Sequence, residues 1–530
     1  MKRAATLLMV LVACATVRLW LIAHTDVIAR DGTVYVKMAR ELSADPSHVV
    51  QSYDYHVGYP VAIAATHQIL QALGQAQNMS SWDLSGQIVS LIASLLAMMA
   101  VWWLAGMAFN WRIAWLSALL FGLGRKWAAL GADVLSDALA VCLQIWAVVL
   151  ALLLLRQLRK KSNWAIPLAA GLGICAGLGY LVRPEALLVP ILAIAFCLFY
   201  QFHWRASWRL TIVSTVLIAL TTLACALPYM IAIGALSKKK SIDQIIMVSA
   251  SQYDSITCLA ALSPGHRPAI RAFINQLFEA LHPVGGLFLC ICLAVFIGKT
   301  VLRIKLPSKI LIFRRRINSL FMLATTAAIM LILTGLYSNV HYMSYRHLMF
   351  LAALLSPLAG AGFMMSAEFT AILATWLKLP QWCARLILPI GTVAIVLGLL
   401  SHTLRPIHAG KAHYKQAGHF VGQLATVDEH VLTDSSRTIH YAVAKNPDIS
   451  ASRIPGNNLS REQLLQYIEQ TSATYLVISD HTLAQSTSDL TSLFAAPAFT
   501  QIRRFDQLAK KRSKTLQVYR IDHLALPSTP

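Results

Sequence analysis

The stretch VLSDALAVCLQIWAVVLALLLLRQLRKK (134–161) opens at Asp137, runs through an unbroken apolar stretch and closes on Arg156, Arg159, Lys160 and Lys161. About twenty apolar residues in a helix cross the roughly 30 Å hydrocarbon core of a bilayer. Backbone groups inside that core have no water to bond, so the run has to be helical. Its two ends differ. Lysine and arginine collect on cytoplasmic loops, so the 156–161 end is expected inside and the end carrying Asp133 and Asp137 outside.

Similar runs lie near 4–24, 85–108, 113–130, 165–182, 185–201, 210–234, 283–300, 317–336, 347–366 and 386–402. With the first they make about eleven spans. The composition agrees. Of 530 residues, 57% are hydrophobic and 13% charged, with a mean hydropathy of +0.60. Soluble domains run nearer 45–50% apolar and about 25% charged, which excludes a cytosolic enzyme or a disordered chain. The net charge of +22 suggests nucleic acid at first sight. Inner loops of a membrane protein are basic anyway, and no nucleic-acid partner is expected.

With the N-terminus inside, the inner segments hold Lys2, Arg3, Arg112, the 156–161 run, Arg205, Arg209, the 299–316 loop ending in Arg314–Arg316, Lys378 and Arg385. Their one acid is Glu368. The first run shows no small-residue cleavage site and reads as an uncleaved helix rather than a signal peptide; its Arg18 snorkels or faces the bundle. GYPVAIAATHQILQALG (58–74) has helical spacing, but His67, Gln68 and Gln71 make it amphipathic. If it spanned, the basic loops would face outward, so it is expected to lie in the outer interface. Long outer loops follow at about 25–84 and 235–282. Most of the nine cysteines sit in apolar runs, Cys258 falls in the second outer loop, and no disulfide framework or zinc spacing is present.

After about residue 403 the texture becomes polar. VLTDSS (431–436) reads as a strand and turn, and TYLVISD (474–480) and TLQVYRI (515–521) as strands. NLSREQLLQYIEQT (458–471) reads as a helix opened by a Ser460–Gln463 capping box. The expected architecture is mainly α: a polytopic helix bundle over 1–402 with outer interfacial helices, and a small extracytoplasmic α/β domain over 403–530.

No P-loop, HExxH, GxSxG or paired CxxC occurs. GLGICAGLG (171–179) mimics a dinucleotide fingerprint, but inside an apolar span small residues serve close helix packing. In ARDGTVYVKMARELSADP (29–46), Asp31 follows the first span, with Tyr35 on the same helical face. Asp31 is either a helix-start acid or a catalytic carboxylate. QSYDYHVGYPVAIAA (51–65) gathers Tyr53, His56 and Tyr59, an interface belt or a surface for stacking on a sugar. Asp133 and Asp137 share a helical face at the outer boundary. Arg183 and Glu185 flank Pro184 in a turn between spans. Tyr345, Arg346 and His347 open a late span, where Arg346 is placed to anchor the helix or grip a phosphate. Lys238–Lys240 fit lipid headgroups.

Together these segments resemble the type C glycosyltransferase superfamily, in the bacterial branch similar to protein O-mannosyltransferases and the lipid A aminoarabinose transferase. Four matches carry the resemblance: ARDGTVY, GYPVAIAA, GLGICAGLGYLVRPE and SYRHLMFLAALLSPLAG. The resemblance implies a multi-pass enzyme of a bacterial-type cytoplasmic (inner) membrane. Its donor would be a polyprenyl-phosphate-linked sugar, and its acceptor an envelope lipid, glycan or protein met on the outer face. It implies that Asp31 is the base for an inverting single displacement. Arg183, Arg346 and Lys238 would hold the donor phosphate. Tyr35, Tyr53, His56, Tyr59, Asp133, Asp137, Glu185 and Tyr345 would line the substrate. Many relatives carry two adjacent acids at the first-loop site. Here Gly32 follows Asp31, so no metal pair is expected there, and no cofactor is expected. Alternatives from the same residues are another polyprenyl-linked polymerase or ligase, a secondary transporter, or a scaffold whose tail binds a partner.

A reporter active only outside the cytoplasm should work when inserted near residue 45 and fail when fused after Lys161; the opposite pattern overturns the orientation.

Overall fold

A computed structural model describes residues 2–204, 207–238, 269–300, 316–340, 343–454, 460–485, 489–508 and 513–526. Lys239, Lys240, Cys258, Arg205 and Arg314–Arg315 lie outside the described residues. The chain is mostly helical: α1 (Lys2–Ala23), α2 (Arg30–Leu42), α3 (Pro46–Ser52), α4 (Gly58–Ala72), α5 (Met79–Ala108), α6 (Trp111–Leu123), α7 (Arg125–Leu130), α8 (Asp137–Arg159), α9 (Ala165–Val182), α10 (Leu188–Trp204), α11 (Trp208–Ile233), α12 (Ala269–Thr300), α13 (Arg316–Val340), α14 (Met349–Trp376), α15 (Gln381–Thr403), α16 (Ala412–Leu424), α17 (Ser436–Lys445), α18 (Arg461–Thr471), α19 (Asp480–Gln485) and α20 (Asp489–Leu493). The strands are β1 (His430–Thr433), β2 (Ser450–Arg453), β3 (Ala473–Ser479), β4 (Phe499–Leu508) and β5 (Ser513–Ile521).

Two compact units form. One takes Met1–Trp20, Met38–Ala62 and Gln87–Arg405, the other Leu21–Lys37, Ile63–Gly86 and Pro406–Pro530. Among the described residues 8 helices are long and apolar enough to cross a membrane, and three shorter apolar ones cover Trp111–Leu123, Pro184–Phe199 and Leu320–Gly335. Each apolar run of the sequence finds its helix among these. The 113–130 run differs in detail: it breaks at Gly124 into α6 and α7. The 283–300 run is the second half of α12, which turns at His282, just before Pro283.

In the first unit the helices approach through small residues. A Cβ on Gly173 would lie 1.9 Å from Thr221 Oγ1, and one on Gly177 2.6 Å from Cys225 Cβ. Gly173 and Gly177 are therefore packing positions on the α9 face that meets α11. In the same way a Cβ on Gly362 of α14 would lie 1.9 Å from the Phe288 carbonyl oxygen of α12. Arg18 is fully buried and faces the bundle. Its Nε donates to Ser94 Oγ (2.7 Å) and an Nη to the Cys14 carbonyl (3.0 Å).

In the second unit the sheet order is β2-β1-β3-β5-β4. β1 is parallel to β2 and β3, whereas β5 is antiparallel to β3 and β4. Alternate β3 residues feed two cores, as a period of two requires. Leu476 and Ile478 join Leu464, Leu465 and Ile468 of α18; Tyr475 and Val477 join Val421 of α16 and Ala442 of α17. Ser460 and Gln463 form the expected capping box at α18. β2 and β4, the two edge strands, are additions, since neither carries an apolar residue at every second position. Within the 63–86 excursion His67 is buried, stacks on Trp82 at 3.6 Å and lies 2.7 Å from Gln71 Nε2. The polar residues of 58–74 thus form an internal contact, and α4 is not among the helices apolar enough to cross.

Gly177→Val forces its new Cβ and methyls into Cys225 of α11. Overpacking of this kind costs about 1–3 kcal/mol, and the purified protein should melt at a lower temperature. Gly171→Ala, whose Cβ would stand 3.7 Å from its nearest neighbour, should melt with the wild type.

Candidate active site

Asp137 sits in the first turn of α8, and its side chain is 1% exposed. A buried carboxylate is costly unless cations and hydrogen bonds meet it. Here two arginines do. An Arg183 Nη lies 2.6 Å from one carboxylate oxygen. Arg346 lies against the other through both Nε (2.9 Å) and Nη2 (2.7 Å).

Local sequence places each arginine. Pro184 disfavours a helical backbone at the residue before it, and Arg183 is extended at φ −153, ψ 130, ending α9. Its N–H still donates to the Gly179 carbonyl at 2.7 Å. Pro184 then starts a short 3-10 turn, Pro184–Leu187. Arg346 rides a second 3-10 turn, Tyr345–Leu348, opened by a capping box between Ser344 and His347. Two guanidiniums against one carboxylate leave a formal charge of +1. The arginine side chains keep 15% and 26% exposure. Such a pair presents planar donors matched to phosphate oxygens.

The neighbouring segments gather predicted residues in the same unit. A Cβ on Gly58 would lie 2.7 Å from the Leu181 backbone, so the aromatic-proline motif abuts α9 two residues before Arg183. Tyr345 carries the Lys126 ammonium 4.2 Å from its ring centroid, and Lys126 pairs with Glu279 at 2.6 Å. Asp133 is buried, and one of its oxygens accepts from the Val134 N–H at 2.8 Å. Glu185 is exposed on the turn after Arg183.

The other expected site residues have the following partners. Asp137 has both carboxylate oxygens on arginine. Tyr59 is fully buried, 2.8 Å from Ser90 Oγ. His56 is buried 3.0 Å from Ser237 Oγ, between the rings of Tyr180 and Tyr229 at 5.3 Å each. Both rings are closed within the packing. Tyr53 donates to Glu41 at 2.7 Å; burial, and then that carboxylate, push its phenol up. Lys238 donates to the Val50 carbonyl at 2.7 Å and also to that of Gln51, so it ties the 50–51 backbone.

In the second unit Asp31 lies half-buried in the first turn of α2 and Tyr35 is buried on the same helix. The Thr33 N–H donates to the Ala29 carbonyl at 3.2 Å, the bond that starts the helix. Among the described residues no group of three or more His, Cys, Asp or Glu could hold a metal ion. Lys126 lies within the 113–130 run and no sequence motif marks it; its contacts with Tyr345 and Glu279 exist only in three dimensions.

The family model for dolichyl-phosphate-mannose-protein mannosyltransferase matches residues 68–232, which include Asp137 and Arg183. No curated protein sequence matches the chain. Among solved structures, the Archaeoglobus fulgidus oligosaccharyltransferase in its apo form aligns over 98% of this chain and 75% of its own at 13% identity, with a TM-score of 0.59. ArnT from Cupriavidus metallidurans in the apo state aligns over 99% and 100% at 12% identity, with a TM-score of 0.58. The same ArnT bound to undecaprenyl phosphate aligns over 98% and 99%, with a TM-score of 0.58.

The chain shares the fold of these structures. In it Asp137 and its two arginines come from the ends of three helical segments far apart in sequence. Removing Asp137 strands the two cations against each other. Breaking a buried pair costs about 3–5 kcal/mol, and the partial exposure of the arginines puts this case at the low end. Asp137→Ala should therefore be destabilised by about 3 kcal/mol in a detergent-unfolding titration, and the Asp137→Ala/Arg346→Met double variant should recover part of that loss.

Proposed function

We propose that this protein is a membrane glycosyltransferase that moves a sugar from a polyprenyl-phosphate donor to an envelope acceptor on the outer face. The observation that carries the reading is the pair of arginines held by one buried carboxylate. The ArnT structure that aligns over nearly its whole length is bound to undecaprenyl phosphate, and an archaeal oligosaccharyltransferase structure of the same fold contains a dolichol-phosphate.

In this reading Arg183 and Arg346 hold the donor phosphate. Their charge stabilises the phosphate as the bond to the anomeric carbon breaks and negative charge builds on the leaving oxygen. Asp137 keeps both guanidiniums aimed, so they need no rearrangement during the step. Asp31 accepts the proton of the acceptor hydroxyl while its oxygen attacks the anomeric carbon from the side opposite the phosphate. One bond forms, one breaks, and the configuration inverts. A carboxylate is basic enough for this because the leaving group is a stable anion. Lys126 and Tyr345 flank the phosphate site, and Glu185 is available to sugar hydroxyls. The polyprenyl tail stays among membrane lipids.

Mass spectrometry of envelope glycolipids and glycoproteins from cells with and without the protein should reveal a sugar-mass difference on one acceptor. Asp31→Asn should make none of that product while inserting in the membrane normally. Arg346→Ala should need about tenfold more donor for half-maximal rate, about the loss of one charge-assisted hydrogen bond. Wild-type product from Asp31→Asn would remove Asp31 from the scheme, and an unchanged donor KM in Arg346→Ala would remove the phosphate role of Arg346.

A further inference from the structure

We propose that helix α17 of the C-terminal fold is a positioning device for the first-loop carboxylate, with Arg437 and Tyr441 clamping the backbone of Ile28 and so fixing the start of the helix that carries Asp31. The inference rests on the reading of Asp31 as the base.

Residues 24–29, between α1 and α2, belong to no helix or strand. A backbone in that state has to find partners elsewhere if it is buried, and Val27, Ile28 and Ala29 are all buried. Ile28 finds both of its partners on α17. Arg437 Nε donates to the Ile28 carbonyl at 2.9 Å, and the Ile28 N–H donates to Tyr441 Oη at 3.0 Å. Positions 437 and 441 are one turn apart, so they project from a single face. The held residue stands immediately before Ala29, whose carbonyl accepts the first bond of α2, and three residues before Asp31.

The clamp is rigid at its own end. Arg437 is 8% exposed and Tyr441 4%. A Cβ on Gly418 of α16 would lie 2.7 Å from the Thr438 carbonyl oxygen, so α16 and α17 are in backbone contact. The Lys415 ammonium lies 5.5 Å from the Tyr441 ring centroid. A further tie holds the second excursion of the same unit: His440 Nε2 lies 2.9 Å from Asp83 Oδ1. One short helix therefore grips two segments that arrive from the membrane-associated part of the sequence, and grips one of them by its peptide groups. Side-chain packing tolerates sliding. Bonds to both polar groups of one peptide residue do not. A base displaced by about 1 Å can lose on the order of a hundredfold in rate, so such a grip matters for catalysis well beyond its stabilising effect.

The test uses the full chain in lipid nanodiscs for exchange and the same variants in cells for product. Tyr441→Phe and Arg437→Ala should speed hydrogen–deuterium exchange of the amides of residues 28–31 by about tenfold, the effect of one lost hydrogen bond. They should lower the product by tenfold or more while the C-terminal fold keeps its melting temperature within a few degrees. Arg437→Lys, which keeps a donor, should restore most of the product. Unchanged exchange at 28–31, faster exchange with wild-type product, or product loss only where the C-terminal fold has melted would each overturn the positioning role. Asp31→Asn separates the two readings. If it is inactive while the clamp variants work normally, only the positioning role falls; if it makes wild-type product, both fall.

Discussion

Asp137 could not sit where it does without its two arginines. A carboxylate at 1% exposure has lost its water, and only a close opposite charge offsets that loss. The requirement runs in both directions. Arg183 and Arg346, 163 residues apart in sequence by their numbering, would repel each other at this separation without the acid between them. One buried ionic contact therefore ties the start of α8, the end of α9 and the head of α14. The backbone devices around it, an extended residue before Pro184 and a Ser344–His347 capping box, serve to present those side chains. A neutral core at the same point would pack as well.

Elsewhere in the first unit the helices are held by shape. Water drives no association between apolar faces inside a bilayer, so close contact comes from small residues and dispersion. Gly173, Gly177 and Gly362 meet backbone or short side chains of neighbouring helices with no room for a methyl group. These contacts set the spacing of α9 against α11 and of α14 against α12, and with it the places from which Arg183 and Arg346 reach inward. The second unit follows ordinary aqueous rules: a mixed sheet with alternating residues feeds a core on each face, and helices cover both.

The apolar runs were legible from one-dimensional pattern, because a bilayer demands length and hydropathy before anything else. So were the packing role of Gly173 and Gly177, the capping box at Ser460 and three of the five strands. Two kinds of feature were not. Edge strands β2 and β4 lack a strong apolar period. The membership of 21–37 and 63–86 in the unit of the C-terminal fold depends on contacts such as Arg437 with Ile28, which join residues about four hundred positions apart and leave no local trace.

The same division holds for individual side chains. Sequence alone placed Tyr59, His56, Lys238 and Asp137 in polar stretches beside apolar runs. Only the tertiary structure decided what each of them does, because a polar group's role is fixed by the partner that meets it. Tyr59 and His56 are closed inside the packing, Lys238 is bound to backbone carbonyls, and Asp137 is the acid that two arginines share. Partnership of that kind is a property of three-dimensional proximity, which no spacing along the chain encodes.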